Sequence, residues 1–385
     1  MPTSLRKLKI IDGLEPPMCL ERLHIEGYNG SAPSWLGSTA VSLTSLQSLH
    51  LEKCQFWSTL PSAHELPLLR ELHLINMHRL DNIPLGRGLK VLELRKMASL
   101  KRFVEMESDQ PYENLEVIQL EDCNYLEKLP FQLCSSGTRT EHLFPKLRRV
   151  QIRDCIKTKL RTFPIADTTT DIDVWNACLD YMSFQLSPAA DDESRLCLEL
   201  DFRSLTGIRS LQVSESPGFV LAWKSAAEEM MSEGHNFSMP LECLDIDDID
   251  VLSMPICRQI TSLVSLKIRG SLYRWSDKVD ILLEHHEQAL QLLTSLKELT
   301  LSHFKHLESL PSRIHALPLL QRLTISECPR LTSLPEEGLP RSLVEMDLIY
   351  GTAELDALCR SIWKDGHFRL YINKFEHLGA PAPHT

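Results

Sequence analysis

The chain predicts an α/β repeat solenoid, and three features of its sequence carry that prediction. The pattern L-x-x-L-x-L, with Ile, Val or Met as substitutes, recurs along most of the 385 residues, most often at spacings of 20 to 26 residues. The fourth and sixth positions of each copy alternate with polar residues, the period-2 signature of a short strand with one buried face. Many copies then continue through a small or apolar residue, a further apolar residue and a Leu-Pro, as in Cys123, Leu126, Leu129-Pro130 and in Cys328, Leu331, Leu334-Pro335. Proline there stops a ladder from forming on the return side, which turns back through irregular or 3-10 structure.

Taken in chain order, thirteen clear copies begin at Leu5, Leu20, Leu46, Leu69, Leu89, Leu115, Leu147, Ile208, Leu241, Leu263, Leu296, Leu320 and Leu343. Two degenerate copies fill gaps: Ile172 and Val174 fit one starting near Thr169, and Leu370 and Ile372 fit one starting at His367. The 15-residue step from Leu5 to Leu20 is too short for a full turn. Burying about five apolar side chains yields about 7 to 15 kcal/mol, whereas ordering about 24 residues costs ~1.5 kcal/mol each. A single copy is therefore unstable alone, and the copies must stack. The expected fold is a leucine-rich-repeat horseshoe with parallel strands on the concave face and a mostly irregular or 3-10 convex side. The solenoid spans residues 1–375, with insertions near 133–144, 175–195, 217–238 and 270–293 and a tail at 376–385. In the last insertion Val279, Leu282, Leu283, Leu290 and Leu293 form a helical stripe.

Composition narrows the function. With 43% hydrophobic and 24% charged residues the chain is an ordinary globular one, and no apolar stretch approaches the length of a membrane span. The N-terminus MPTSLRKLKI lacks the apolar core of a secretory signal, so a cytoplasmic protein is expected. Eleven cysteines without a C-x-x-C pair fit reduced thiols. A net charge of -11 argues against nucleic acid as a partner. The acidity is regional: residues 161–250 hold 18 Asp and Glu against 5 Lys and Arg, a net of -13, and the remainder holds 34 acidic against 36 basic, a net of +2. This segment is expected to be an electrostatic docking surface or a solvated face, centred on Asp245, Asp247 and Asp248.

Nothing assembles a catalytic set. There is no G-x-S-x-G elbow, Glu284-His285-His286-Glu287 is not the zinc-protease pattern, and Asp245, Asp247, Asp248 and Asp250 lack the Gly and Glu of a calcium loop. No enzyme, no cofactor and no metal is expected. Cys54, Cys123, Cys155 and Cys328 share one repeat position and read as structural. His24, His50 and His73 share the outward strand position of three successive copies and should stack into a ladder. Such a ladder raises a metal site, a pH sensor or a partner contact; partner contact is the reading adopted here. The whole outward row, Lys9, His24, His50, His73, Glu93, Gln119, Gln151, Gln212, Asp245, Lys267, Thr300, Thr324 and Asp347, contains nothing apolar. A partner protein is therefore expected to engage bulkier neighbours at the rim as well, namely Tyr28, Trp35 and Trp57.

Several stretches are more specific than the Leu pattern: EGYNGSAPSWL (Glu26–Leu36), SESPGFVLAW (Ser214–Trp223), LSMPICRQITSL (Leu252–Leu263), EQALQLLTSLKEL (Glu287–Leu299) and SLPEEGLPRSL (Ser333–Leu343). In this order they resemble the leucine-rich-repeat region of plant intracellular nucleotide-binding disease-resistance proteins, especially the coiled-coil class of grasses. The resemblance implies recognition of a pathogen effector or a guarded host protein, and restraint of a nucleotide switch. The switch's G-x-x-x-x-G-K-[ST] loop does not occur here, and Met77-His78-Arg79 lacks the Asp of that family's nucleotide-sensing motif. The chain reads as a receptor fragment or a truncated relative, because its N-terminal edge looks uncapped. A free-standing adaptor or scaffold is the other reading.

Overall fold

Alternating side chains make five-residue strands, and the strands stack in parallel. The structure, a computed structural model, describes residues 14, 16–36, 43–62, 64–103, 112–126, 144–155, 166, 168–177, 207–232, 239–254, 260–270, 281–363, 368–373 and 375–376. The Leu5 copy, Leu129-Pro130, Val279, most of the 133–144 and 175–195 insertions and the tail lie outside the described residues. The chain divides into two compact units, Met1–Gly207 with Ser216–Ala226, and Ile208–Glu215 with Ala227–Thr385.

In the first unit, β1 (Arg22–Glu26), β2 (Ser48–Glu52), β3 (Glu71–Ile75), β5 (Val91–Arg95), β7 (Val117–Glu121), β8 (Arg149–Arg153) and β9 (Asp171–Trp175) form one parallel sheet. The register pairs equivalent repeat positions, so Leu23, Leu49 and Leu72 lie side by side, as do Ile25, Leu51 and Leu74. These face the core and are almost fully buried. The degenerate copy obeys the same rule: Thr169 fills the first Leu slot, buried, with its hydroxyl accepting from the Ala166 amide and donating to the Leu147 carbonyl.

The return side departs from expectation in one respect. Two short strands, β4 (Asn82–Ile83) and β6 (Arg102–Phe103), pair in parallel there. Pro84 follows β4 directly, so proline limits this ladder to two residues rather than abolishing it. In the second unit Ser309 bridges Ser333, each two residues before a proline, for the same reason.

The second unit repeats the plan with β10 (Ser210–Ser214), β11 (Cys243–Ile246), β12 (Ser265–Arg269), β13 (Glu298–Ser302), β14 (Arg322–Ser326), β15 (Glu345–Ile349) and β16 (Arg369–Ile372), all parallel, and β17 (Phe375–Glu376) antiparallel to β16. The weak copy with Leu370 and Ile372 is thus a true strand.

A left-handed residue follows the strands in both units. Lys53, Asn76, Lys96, Asp122, Asp154 and Asn176, then Glu215, His303, Glu327, Tyr350 and Asn373, all have φ between 47° and 59°. The conformation costs about 1 to 2 kcal/mol for a side-chain-bearing residue. At Lys53, Asn76, Lys96, Asp122, Asp154, His303 and Glu327 it is offset because the amide is aimed at the last carbonyl of the next strand, as in Lys53 N to Ile75 O at 2.9 Å and Asp122 N to Arg153 O at 2.9 Å. Gly270 holds the position after β12 for a different reason: a Cβ there would lie 2.4 Å from the His303 carbonyl oxygen.

Among the described residues three α-helices stand between strands: α1 (Pro217–Ser232), α2 (Glu284–Gln291) and α3 (Ala353–Trp363). Helix α1 opens on proline, whose missing N–H is harmless at that position, and buries Phe219 and Trp223. Helix α3 follows Thr352, whose hydroxyl accepts from the Leu355 amide, with Glu354 and Asp356 in its first turn. The expected stripe in 270–293 is only half correct. Helix α2 starts at Glu284, Leu283 lies in extended backbone and is 44% exposed, and of the described members of the stripe only Leu290 and Leu293 reach the core.

Candidate functional site

Alternation that sends two residues of each five-residue strand inward sends the first, third and fifth outward, and register lines up the central one of each strand into a row. In the first unit the row reads His24, His50, His73, Glu93, Gln119, Gln151 and Asp173. Asp173 belongs to the degenerate copy and was missed from the sequence row. In the second unit the row is Gln212, Asp245, Lys267, Thr300, Thr324, Asp347 and Tyr371.

The three histidines form the expected ladder. Ring centroids of His24 and His50 are 4.1 Å apart with a 35° tilt, and those of His50 and His73 are 5.5 Å apart and stacked. Burial, then the neighbouring His24 and His73, push the His50 ring below the ordinary histidine pKa. The Nε2 atoms of His24 and His50 are buried and have no hydrogen-bond partner among the described residues. Glu52 lies two positions further along β2 on the same face and contacts Lys53 Nζ at 2.6 Å.

Beyond the ladder, Glu93 ties the row together. Its carboxylate meets His73 Nδ1 at 2.5 Å and Arg95 Nε at 2.6 Å, and Arg95 also reaches Glu121 at 3.4 Å. At the far end Asp173 accepts from Gln151 Nε2 at 3.0 Å and from Arg153 Nε at 3.0 Å. Arg153 also lies over the ring of Trp175, 5.9 Å from its centroid. Trp175 shares the outward face with Asp173 and is 40% exposed.

That tryptophan corrects the expected anchors. Tyr28, Trp35 and Trp57 are not rim residues: all three are buried, Trp57 completely. Tyr28 stands just past the left-handed turn at Gly27, in the column also filled by Cys54, Met77, Met97, Cys123, Cys155 and Ala177. The turn points this column into the core, so aromatic size there serves packing. The cysteines of the column behave as expected of structural thiols; Cys54 Sγ lies 3.7 Å from the Ile25 carbonyl and 3.6 Å from that of Glu52, and burial pushes its pKa up to about 11.

The acidic run also reads differently in three dimensions. Asp245 is buried and pairs with Arg269 Nη2 at 2.5 Å. Asp247 accepts from the Glu215 amide, and burial pushes its carboxyl above the usual carboxylate range. Asp248 caps the 3-10 turn Ile249–Ser253 by accepting from the Asp250 amide. Asp250 in turn receives His286 Nε2 at 3.3 Å, while the Leu283 amide donates to His286 Nδ1 at 3.2 Å. These carboxylates make local contacts: Asp245 and Asp247 sit beside a guanidinium and a backbone amide with little solvent to replace those partners, and Asp248 and Asp250 serve a turn and a buried histidine. Asp245 is thus closed off from the outward face, whereas the Asp250 side chain remains 44% exposed.

Comparison with known proteins agrees with the repeat fold. A family described as R13L1/DRL21 leucine-rich repeats matches residues 3–77. The disease resistance RPP13-like protein 1 of Arabidopsis thaliana is 29% identical over 149 residues, 38% of this chain and 12% of that protein. The Arabidopsis thaliana disease resistance protein At3g14460 is 32% identical over 126 residues, 31% of this chain and 8% of that protein. The matches thus span about a tenth of those relatives' length. A leucine-rich-repeat protein of Leptospira interrogans superposes with a TM-score of 0.50 at 16% identity, covering 94% of this chain and 95% of its own, which bears on the fold alone. No helix among the described residues is long and apolar enough to cross a membrane. The chain is a leucine-rich-repeat protein whose repeats are similar in sequence to those of plant disease-resistance proteins.

Proposed function

We propose that this chain is the recognition module of a plant innate-immune receptor of the coiled-coil class found in grasses, working in the cytoplasm. Its repeats bind a pathogen effector or a guarded host protein and restrain a nucleotide-binding switch whose phosphate loop this sequence does not contain. The observation that supports the reading is the outward face of the first unit. There a continuous polar row from His24 to Asp173 ends on the exposed, Arg-stacked Trp175. A polar row supplies direction and charge but little burial, and a tryptophan held by arginine supplies the apolar anchor on which binding energy concentrates. The buried leucines are committed to stacking, so this face is where residues can vary without unfolding the repeats.

The test is co-expression in leaves with the coiled-coil and nucleotide-binding portion of a related receptor. The two should co-precipitate, and the chain should suppress cell death caused by an autoactive form of that portion. Changing His24, His50 and His73 to Ser and Trp175 to Ala should alter recognition while leaving the melting temperature in place. Absence of association and of suppression would overturn the receptor reading and favour a free-standing adaptor.

A further inference from the structure

We infer that His24, His50 and Glu52 form a binding site for a divalent transition cation of the zinc class. The three residues sit on adjacent strands of the first unit, in register, on the outward face. One ligand atom from each lies within 4.8 Å of the other two. Ligands of tetrahedral zinc at bond lengths of about 2.0 to 2.1 Å stand about 3.4 Å apart. Closing the set therefore takes side-chain rotation of roughly an ångström: the two imidazoles, now 35° from parallel, turn about χ2 until their ring planes converge on the ion, and the torsions of glutamate bring in the carboxylate.

The second observation is the pair of unpartnered nitrogens. Buried polar atoms almost always have a partner, yet the Nε2 atoms of His24 and His50 have none among the described residues, with the two rings only 4.1 Å apart. A cation accepts both lone pairs at once and takes the carboxylate as its third ligand. Two imidazoles and one carboxylate are a donor set suited to zinc, with a fourth position left for water.

The surroundings define which residues take part. His73 is excluded, because Glu93 already holds its Nδ1 at 2.5 Å; it stacks on His50 and closes that side. Lys53 occupies Glu52 at 2.6 Å, but its side chain is 49% exposed and can swing into solvent as the cation enters. A second grouping, Asp250 with His285 and His286, has ligand atoms equally close. It differs in that both nitrogens of His286 are engaged, by the Leu283 amide and by Asp250. The inference does not depend on which protein the module recognises.

The experiment is calorimetric titration of the full chain with zinc chloride in a non-chelating buffer, after exposed thiols are blocked with iodoacetamide. One equivalent should bind with micromolar affinity or better, worth about 8 kcal/mol. His24→Asn and His50→Asn should each weaken it at least tenfold, and Lys53→Gln should strengthen it by removing the competing ammonium. Cobalt(II) binding to the unsubstituted chain gives a readout that needs no variant: visible bands without an intense thiolate charge-transfer band are expected. Zinc affinity unchanged in both histidine variants, affinity lost instead in His285→Asn, a thiolate band at stoichiometric cobalt, or no binding to the folded chain would each overturn the assignment.

Discussion

The carboxylate of Asp247 accepts a hydrogen bond from the backbone amide of Glu215 at 2.5 Å. At Lys53, Asn76, Lys96, Asp122, Asp154, His303 and Glu327 the amide of the left-handed residue instead finds the last carbonyl of the next strand, as Lys53 finds Ile75. Asp247 stands where that carbonyl's residue would be, and its side chain takes over the role. Asn373 does the same for the Tyr350 amide through Oδ1 at 2.8 Å. A side-chain acceptor at this point is a substitute for a backbone one, which makes Asp247 a residue of the fold.

Asp247→Ala removes that acceptor beside a buried amide and should lower the stability of the second unit by about 1 to 3 kcal/mol. Asp247→Asn keeps an oxygen in place, and burial already disfavours the charge, so it should stay within about 0.5 kcal/mol of the parent. Urea denaturation of both variants checks this. An asparagine as damaging as alanine would show that charge, and not the acceptor, matters.

Trp57 and Trp175 should separate packing from recognition. Trp57 is fully buried, and Trp57→Ala should cost about 3 to 5 kcal/mol with a clear fall in melting temperature. Trp175→Ala should cost no more than about 1 kcal/mol, the order of an exposed cation–π contact. Equal losses in thermal melts would contradict the placement of one in the core and the other on the outward face.

The pH response of the second unit should carry a signature of His286. Its ring is buried in α2 and faces His285, Asp248 and Asp250; burial, then His285, lowers its pKa despite the carboxylates. Its Nδ1 accepts from the Leu283 amide, so protonation there would also break the start of the helix. With the folded pKa below the unfolded value of about 6.5, the unfolded chain binds the proton first. Stability is therefore full above about pH 6.5 and falls as pH drops through that value toward the folded pKa. Melting temperatures at about pH 7.5 and 5.5 should differ less in His286→Gln than in the parent protein; an unchanged difference would count against the assignment.

Thiol reactivity should follow burial. Cys19 and Cys243 are exposed, whereas Cys54, Cys123, Cys155, Cys328 and Cys359 are buried. Burial pushes Cys54 up to about 11 and Cys359 up to about 12. Among the described cysteines, native-state alkylation followed by peptide mapping should therefore label Cys19 and Cys243 first, and the buried five only on unfolding. Rapid native labelling of Cys54 would show that the column is open.

The strands, their order and the outward row were legible because the evidence for them is local and repeated. Leu72, His73 and Leu74 declare a strand and its two faces by alternation alone, and identical spacing in the next copy leaves little choice of register. Even the copy with Thr169 in place of leucine was recoverable, since Ile172 and Val174 kept the period. Helices α1 and α3 carried readable signals, Pro217 in one and Thr352 before Glu354 in the other; α1 lay in an insertion off the repeat period, whereas α3 lay in a step of ordinary length, where an irregular return side was expected.

Sequence alone therefore determined a stack of parallel strands and brought His24 beside His50 across 26 residues, because a period-2 pattern on equal repeats has one face to bury and one register that buries it. Only the tertiary structure decided what happens past each strand's end. A left-handed turn sends Tyr28 and Cys54 inward, so large aromatics near the strands became core, while Trp175 at the end of β9 stayed outside. It likewise decided that Asp245 meets Arg269 and Asp247 meets an amide, whereas two histidine nitrogens meet nothing among the described residues. The physical reason is that a polar group's role depends on what lies within about 3 Å of it, and those neighbours come from a different repeat.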